Sequence, residues 1–292
     1  MKRSLVLGSI VFAGLILALF VNAQQAPLGT IQKVADNLYM IPGGGGNTAV
    51  YVAANGVVLV DTKLANNGQG ILDQVKSVTP KPITHIINTH THGDHNGSNE
   101  FFPANVEIVA HENTAASMAR MPAFQDAKKF ALPDRSFNDK LTLLTGRDAI
   151  DLYYFGRAHT NGDAFVVFRA LRAMHSGDAF AQKGTPLLDA NNGGSGVAIV
   201  DTMAKAAAGI KDVDTVIPGH STLMKWSDFV EFGEFNRAFL DAARAAQRAG
   251  RTPEQAAAEL KLPEKFKDYG LARAGANMTA IFAELSRAEL SR

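Results

Sequence analysis

The sequence contains no cysteine. That absence removes disulfide bridges, thiolate metal ligands and a cysteine nucleophile together, so any metal held by this chain must rest on histidine and carboxylate. The chain also lacks an excess of charge of one sign, with 29 Lys and Arg against 28 Asp and Glu. No basic stripe is available to grip nucleic acid or an anionic membrane, and a small molecule is the expected partner. No internal repeat or low-complexity tract interrupts the sequence. With 46% hydrophobic and 20% charged residues over 292 positions, composition places the chain among globular proteins, with room for one catalytic domain and additions.

Long hydrophobic runs are scarce as well. The run Leu5 to Val21 follows Lys2 and Arg3 and leads into Val21-Asn22-Ala23, small residues at the spacing a signal peptidase requires. This predicts a signal peptide over residues 1–23 and a periplasmic or secreted protein. An uncleaved anchor is the alternative, because the run is near the lower limit for crossing a bilayer. Cleavage removes Lys2 and Arg3, so 29 basic residues become 27 against 28 acidic ones, a net charge of −1. No stable membrane association is expected after that.

Past the leader, alternation predicts strands over 37–41 and 48–53 around Gly43-Gly44-Gly45-Gly46, then a hairpin through Ala54-Asn55-Gly56 into Val57 to Val60, ending on Asp61. Ile71, Leu72 and Val75 mark a short amphipathic helix, and Ile83 to Ile87 a buried strand that delivers the chain to Thr89. Further strands are expected over 107–110, 141–144, 150–155, 164–169, 173–175 and 215–217, with helices near 112–119 and 200–210. Strands outnumber helices yet alternate with them. That pattern suits an α/β fold of αββα type, a sandwich of two mixed sheets covered by helices.

From Trp226 no further strand is expected. Phe232, Phe235 and Phe239 make a helical stripe, Thr252-Pro253-Glu254-Gln255 a capping box, and Met278, Ile281, Phe282 and Leu285 another stripe. The expected organisation is a catalytic domain over 24–225 and a C-terminal helical extension over 226–292, an appendage with little catalytic role.

The chemistry concentrates in Thr89-His90-Thr91-His92-Gly93-Asp94-His95-Asn96-Gly97. His90 and His92, two apart in an extended stretch, point the same way and can grip one ion, while the turn at Gly93 folds Asp94 and His95 towards a second. A core would have to desolvate all four groups, so ligation is the better reading. Three further candidates follow strands: His159 in the stretch from Gly156 to Asp163, Asp178 after His175-Ser176-Gly177, and His220 after Ile217-Pro218-Gly219. Loops on a sheet scaffold collect functional groups there. His85 and His111 fit packing or capping, and His175 fits support behind Asp178. Gly43 to Asn47 is either a mobile flap or a glycine turn, and Asn191-Asn192-Gly193-Gly194-Ser195 is a candidate pocket lining.

Over about Val34 to Met224 the chain resembles the metallo-β-lactamase-fold superfamily of metallohydrolases, whose motif is H-x-H-x-D-H followed by separate His, Asp and His ligands. The resemblance implies two zinc ions, one on His90, His92 and His159, the other on Asp94, His95 and His220, with Asp178 bridging them. It makes Asp61 an acidic support of the site, where position alone reads a turn residue. It further implies a hydroxide shared by the ions as nucleophile, with Asp94 orienting it and passing its proton to the leaving group. Iron or manganese suit the same donors.

The stretch from Tyr153 to Phe180 is similar in layout to exported zinc β-lactamases. Those with an arginine-like residue at the His95 position use cysteine at the Asp178 position and carry a lysine three residues later. Here His95, Asp178 and Ala181 stand in those places, and Lys183 is out of register. The ligand set looks instead like that of the superfamily's thioesterases, lactonases and related ester hydrolases. The expectation is an exported zinc hydrolase that cleaves an ester, lactone, thioester or β-lactam bond, a choice that fold does not make. Iron-dependent oxygen or sulfur chemistry and a non-enzymatic metal-binding protein are the readings from other classes.

Overall fold

Seven strands form the first sheet, in the order β1 (Gln32–Ala35), β2 (Leu38–Ile41), β3 (Thr48–Ala53), β4 (Gly56–Val60), β5 (Ile83–Asn88), β6 (Glu107–His111) and β7 (Arg135–Phe137). Six form the second, in the order β8 (Lys140–Leu143), β9 (Ile150–Tyr153), β10 (Phe165–Phe168), β11 (Ala173–Gly177), β12 (Thr215–Pro218) and β13 (Met224–Lys225). These come from a computed structural model that describes residues 27–290; the leader expected over residues 1–23 lies outside the described residues. Strands β4 to β7 run parallel, as do β11 and β12, and the remaining pairs are antiparallel. Both sheets are therefore mixed, as expected.

Period-two alternation assigns the faces. In β4, Val58 and Val60 join the cluster between the sheets, while Val57 and Leu59 join the outer one. In β10, Val166 and Phe168 face inward and Phe165 and Val167 outward. Each sheet thus needs a helical cover. Helix α1 (Gly68–Val78) covers the first sheet with Ile71 and Val75. Two short helices follow the next strands, α2 (Gly93–Asn96) after β5 and the segment Thr89 to His92, and α3 (Glu112–Met118) directly after β6.

The second sheet is covered by α4 (Ala198–Gly209), α5 (Trp226–Arg248), α6 (Pro253–Ala258) and α7 (Ala274–Leu290). The capping box forms as expected, with Gln255 N donating to Thr252 Oγ1 and Thr252 N donating to Gln255 Oε1. The helices past Trp226 are not an appendage, however. Phe229, Phe232, Phe235 and Phe239 of α5 and Met278, Ile281 and Phe282 of α7 share one cluster with Phe165, Phe180 and Met203. Helix α4 alone is too narrow to cover the outer face of a six-stranded sheet, so α5 and α7 complete the layer.

Strands β1 and β7, which alternation did not reveal, lie at the two edges of the first sheet. Gln32, Lys33, Arg135 and Ser136 make them polar, as edge strands often are. Among the described residues no helix is long and apolar enough to cross a membrane.

Two stability predictions follow from this packing. Phe235 is fully buried, so Phe235→Ala is expected to cost about 3–5 kcal/mol in urea unfolding of the whole chain, whereas an independent appendage would leave the main transition unmoved. His111 caps α3 by accepting from Asn113 N at 3.2 Å and stacks on Tyr154 at 3.9 Å, and burial pushes its pKa down from 6.5 to about 4. Below pH 6.5 the unfolded chain takes up a proton that the folded chain refuses, so stability falls as pH drops from 6.5 to about 4. His111→Asn keeps a capping acceptor and is expected to flatten that slope in denaturant titrations between about pH 4 and 7.

Candidate metal centre

Parallel pairing of β4 with β5 and of β11 with β12 sends their C-terminal ends towards one edge of the sandwich. Strand β5 runs out into Thr89 and His90, and His92 caps α2, which carries Asp94 and His95. His159 comes from the β9–β10 connection, Asp178 directly follows β11, and His220 follows β12. All seven expected residues meet there. Donor atoms of His90, His92 and His159 lie within 4.8 Å of one another, as do those of Asp94, His95 and His220, and those of His90, His95 and Asp178.

Each histidine of the cluster's inner part is turned by a partner on its far nitrogen. His95 Nδ1 donates to Asp61 Oδ2 at 2.6 Å, and His159 Nδ1 donates to the Leu187 carbonyl at 2.7 Å. His92 Nε2 donates to Asp189 Oδ2 at 2.7 Å. His90 Nδ1 donates to Thr89 Oγ1 at 3.0 Å, and that hydroxyl donates to Asp61 Oδ2 at 2.7 Å. With His95 neutral, four rings therefore present one lone pair each to the same space: Nε2 of His90, His95 and His159, and Nδ1 of His92. His90 Nε2 and Asp178 Oδ1 are buried with no hydrogen-bond partner among the described residues. Orphaned acceptors of this kind suit a cation.

Electrostatics point the same way. Burial works against charge at Asp178, yet His95 and His220 hold its carboxyl well below the usual range. Burial also opposes charge on His95 and His220, but Asp178 and Asp61 raise the former well above 6.5, and Asp178 and Asp94 raise the latter to about 9. Burial and the neighbouring His95 and His159 push His90 well below its ordinary value. The carboxylates thus draw positive charge into the cluster, and a cation bound there has to displace the protons of His95 and His220.

Supporting residues explain the tight geometry. Asp61 sits at the end of β4 with φ of 63° and accepts from Thr89 N at 2.8 Å as well as from Thr89 Oγ1 and His95. It is a support of the site, not merely a turn residue. Gly43 to Asn47 is a buried turn beneath the cluster rather than a flap: a Cβ on Gly46 would collide with the His95 ring. Asn47 Nδ2 donates to Pro218 O at 2.8 Å and Ser221 O at 2.7 Å, tying the turn to the His220 loop. His175 braces Asn47, with Nε2 3.1 Å from its carbonyl, and does not touch the ligand atoms.

Two residues carried no sequence signal. Lys63 is fully buried and donates to Ile41 O at 2.7 Å and Gly46 O at 2.8 Å, and burial pushes its pKa down to about 7. Asp189 orients His92, and its place just ahead of Asn191-Asn192-Gly193 reads only as a turn. That segment does not line the pocket as expected. Its polar groups hold Asp189 instead, Asn192 Nδ2 donating to Asp189 Oδ2 at 2.6 Å.

The cluster opens into a cavity of about 290 Å³. His92, Asp94, His159, Asp178 and His220 line it, together with Leu187, Phe232 and Arg273. Side chains of Asp94 and His220 remain 31% and 33% exposed, so the Asp94–His220 side is the accessible one. Phe232 and Arg273 come from the region beyond residue 225, which therefore does reach the site.

Solved structures share this architecture at low identity. The sec-alkylsulfatase Pisa1 from Pseudomonas sp. superposes with a TM-score of 0.71 at 16% identity over 88% of this chain and 50% of its own. The DIM-1 metallo-beta-lactamase superposes with a TM-score of 0.62 at 16% identity over 73% of this chain and 99% of its own. Such likeness speaks for the fold alone. In sequence, the metallo-beta-lactamase type 2 of Elizabethkingia meningoseptica is 25% identical over 154 residues, and metallo-beta-lactamase domain-containing protein 1 of Rattus norvegicus is 31% identical over 88. These matches span 59% and 35% of those proteins' lengths. A family model described as the metallo-beta-lactamase superfamily matches residues 41–220, the stretch running from the end of β2 to the last histidine of the cluster. With the sandwich, the clustered histidines and carboxylates and that match in agreement, the chain belongs to the metallo-beta-lactamase superfamily.

Proposed function

We propose that this chain is an exported binuclear metallohydrolase, most simply a zinc enzyme, acting on a small molecule with an ester-type bond. The observation that carries the reading is the overlapping sets of histidine and carboxylate donors, His90, His92 and His159 beside His90, His95 and Asp178, around a buried Asp178 Oδ1 with no hydrogen-bond partner among the described residues. His90, His92 and His159 would hold one ion, and Asp94, His95 and His220 the other. Asp178 stands between the two sets, with Oδ1 3.3 Å from His95 Nε2 and Oδ2 3.2 Å from His220 Nε2 and 3.7 Å from His159 Nε2. Bound there, divalent ions supply a Lewis acid and lower the pKa of water towards about 7.

The protein's own groups do the rest. Asp94 faces the cavity and lies 3.3 Å from His220, positioned to accept a proton from the attacking water and hand it to the leaving oxygen. Water's oxygen adds to the acyl carbon, the bond to the leaving group breaks, and that group departs protonated. Leu187 and Phe232 give the cavity apolar walls that limit competing solvent. Thioesters, lactones and β-lactams fit the same scheme. Sulfate esters are a further class, with water's oxygen bonding to the alkyl carbon or the sulfur as the C–O or S–O bond breaks, because the likeness to the alkylsulfatase covers 88% of the chain and so reaches into the C-terminal helices. Export rests on the basic, apolar and small-residue pattern from Lys2 to Ala23.

A hydrolysis screen of the zinc-loaded protein with chromogenic ester, thioester, lactone, β-lactam and sulfate ester substrates tests the reading directly. Asp94→Ala and His159→Ala are each expected to abolish hydrolysis and to lower metal content by elemental analysis; full activity of His159→Ala would overturn the ligand assignment. Asp189→Asn leaves the ligands in place but weakens the acceptor that orients His92, so metal affinity in a chelator competition should fall about 10- to 100-fold. Unchanged affinity would remove Asp189 from the supporting set.

A further inference from the structure

We propose that Arg273 is the specificity residue of the cavity and selects an anionic substrate, one with a carboxylate or sulfate-type charge on an apolar stem. This rests on the hydrolase reading above. The backbone around Arg273 is pinned to the cavity rim. Thr185 N donates to Gly270 O at 2.8 Å, Arg273 N donates to Thr185 Oγ1 at 3.0 Å, and Asn277 Nδ2 donates to Pro186 O at 3.1 Å. The Arg273 side chain lines the same cavity as His92, Asp94 and His220, and it makes no hydrogen bond or ion pair among the described residues.

Lys183 provides the contrast. It is the first basic residue after Asp178, but Asp228 at 2.7 Å and Glu231 at 3.3 Å neutralise it, and it does not line the cavity. Arg273 is the cation left unpaired within reach of a bound molecule. Arg273 is the cationic side chain of the cavity lining, so a bound anion would find its counter-charge there. A planar guanidinium grips carboxylate or sulfate through two parallel hydrogen bonds, while Pro186, Leu187 and Phe232 accept the apolar stem.

The test compares the zinc-loaded wild type with Arg273→Ala and Arg273→Lys on two chromogenic esters of equal chain length, mono-4-nitrophenyl adipate and 4-nitrophenyl hexanoate. Arg273→Ala should lower the adipate-to-hexanoate ratio of kcat/KM by about tenfold or more, mainly through KM, and Arg273→Lys should recover part of it. A second arm measures calorimetric binding of hexanoate and of hexanesulfonate. Both anions should bind about tenfold more weakly to Arg273→Ala than to wild type at equal zinc content and equal Tm, and the tighter wild-type ligand tells a carboxylate site from a sulfate one. A ratio that stays within about twofold, or equal anion affinity in wild type and Arg273→Ala, overturns the proposal. Should the wild type cleave neither ester, the broader hydrolysis screen decides the hydrolase reading, and the binding arm still decides the role of Arg273.

Discussion

Asp178 carries a carboxylate into the interior, where an isolated charge is costly, and most of the site's geometry answers that cost. His95 and His220 lie within 3.3 Å of it, and His90 packs against both His95 and His159. Without ions, protons on His95 and His220 balance the charge. A cation bound there would balance it in their place, because His90, His92 and His159 hold lone pairs towards the same space and His95 gains one when its proton leaves. Close approach is part of the arrangement, since a Cβ on Gly219 would collide with Asp178 Oδ1.

The lone pairs are held by a second ring of groups whose own positions depend on packing. Asp61 reaches His95 directly and His90 through Thr89, linking β4 to the segment after β5. Leu187 O and Asp189 hold His159 and His92, and both belong to the connection between β11 and α4. That connection is clamped from the far end of the chain. Glu284 of α7 accepts from Ser195 Oγ and from Gly196 N, and Asn277 holds Pro186. Burial of the α5 and α7 stripes against the second sheet therefore also sets the orientation of two ligand rings, through a loop with little regular structure of its own.

Much of this was legible beforehand because it is written in short-range pattern. His90, His92, Asp94 and His95 stand within six positions, at the end of an apolar strand whose alternation is clear. Hydrophobic alternation likewise exposed β3, β4 and β10, and the stripes of α5 and α7 announced helices. Edge strands β1 and β7 were hidden because an edge needs few apolar residues. Asp189 and Lys63 were hidden for a different reason: each acts on a partner far off in sequence, His92 and Gly46, and an aspartate before two asparagines or a lysine after a strand looks ordinary on its own.

By itself, the sequence determined the donor chemistry, histidine and carboxylate without thiolate, and the sandwich that presents it, since composition and periodicity are local properties of the chain. Only the tertiary structure decided which nitrogen of each histidine faces the site, because that depends on Asp61, Thr89, Leu187 and Asp189 arriving from separate segments. It also decided that the helices after Trp226 belong to the core and bring Phe232 and Arg273 to the cavity. A helical stripe shows that a face must be buried; what it is buried against is settled when the sheets are assembled.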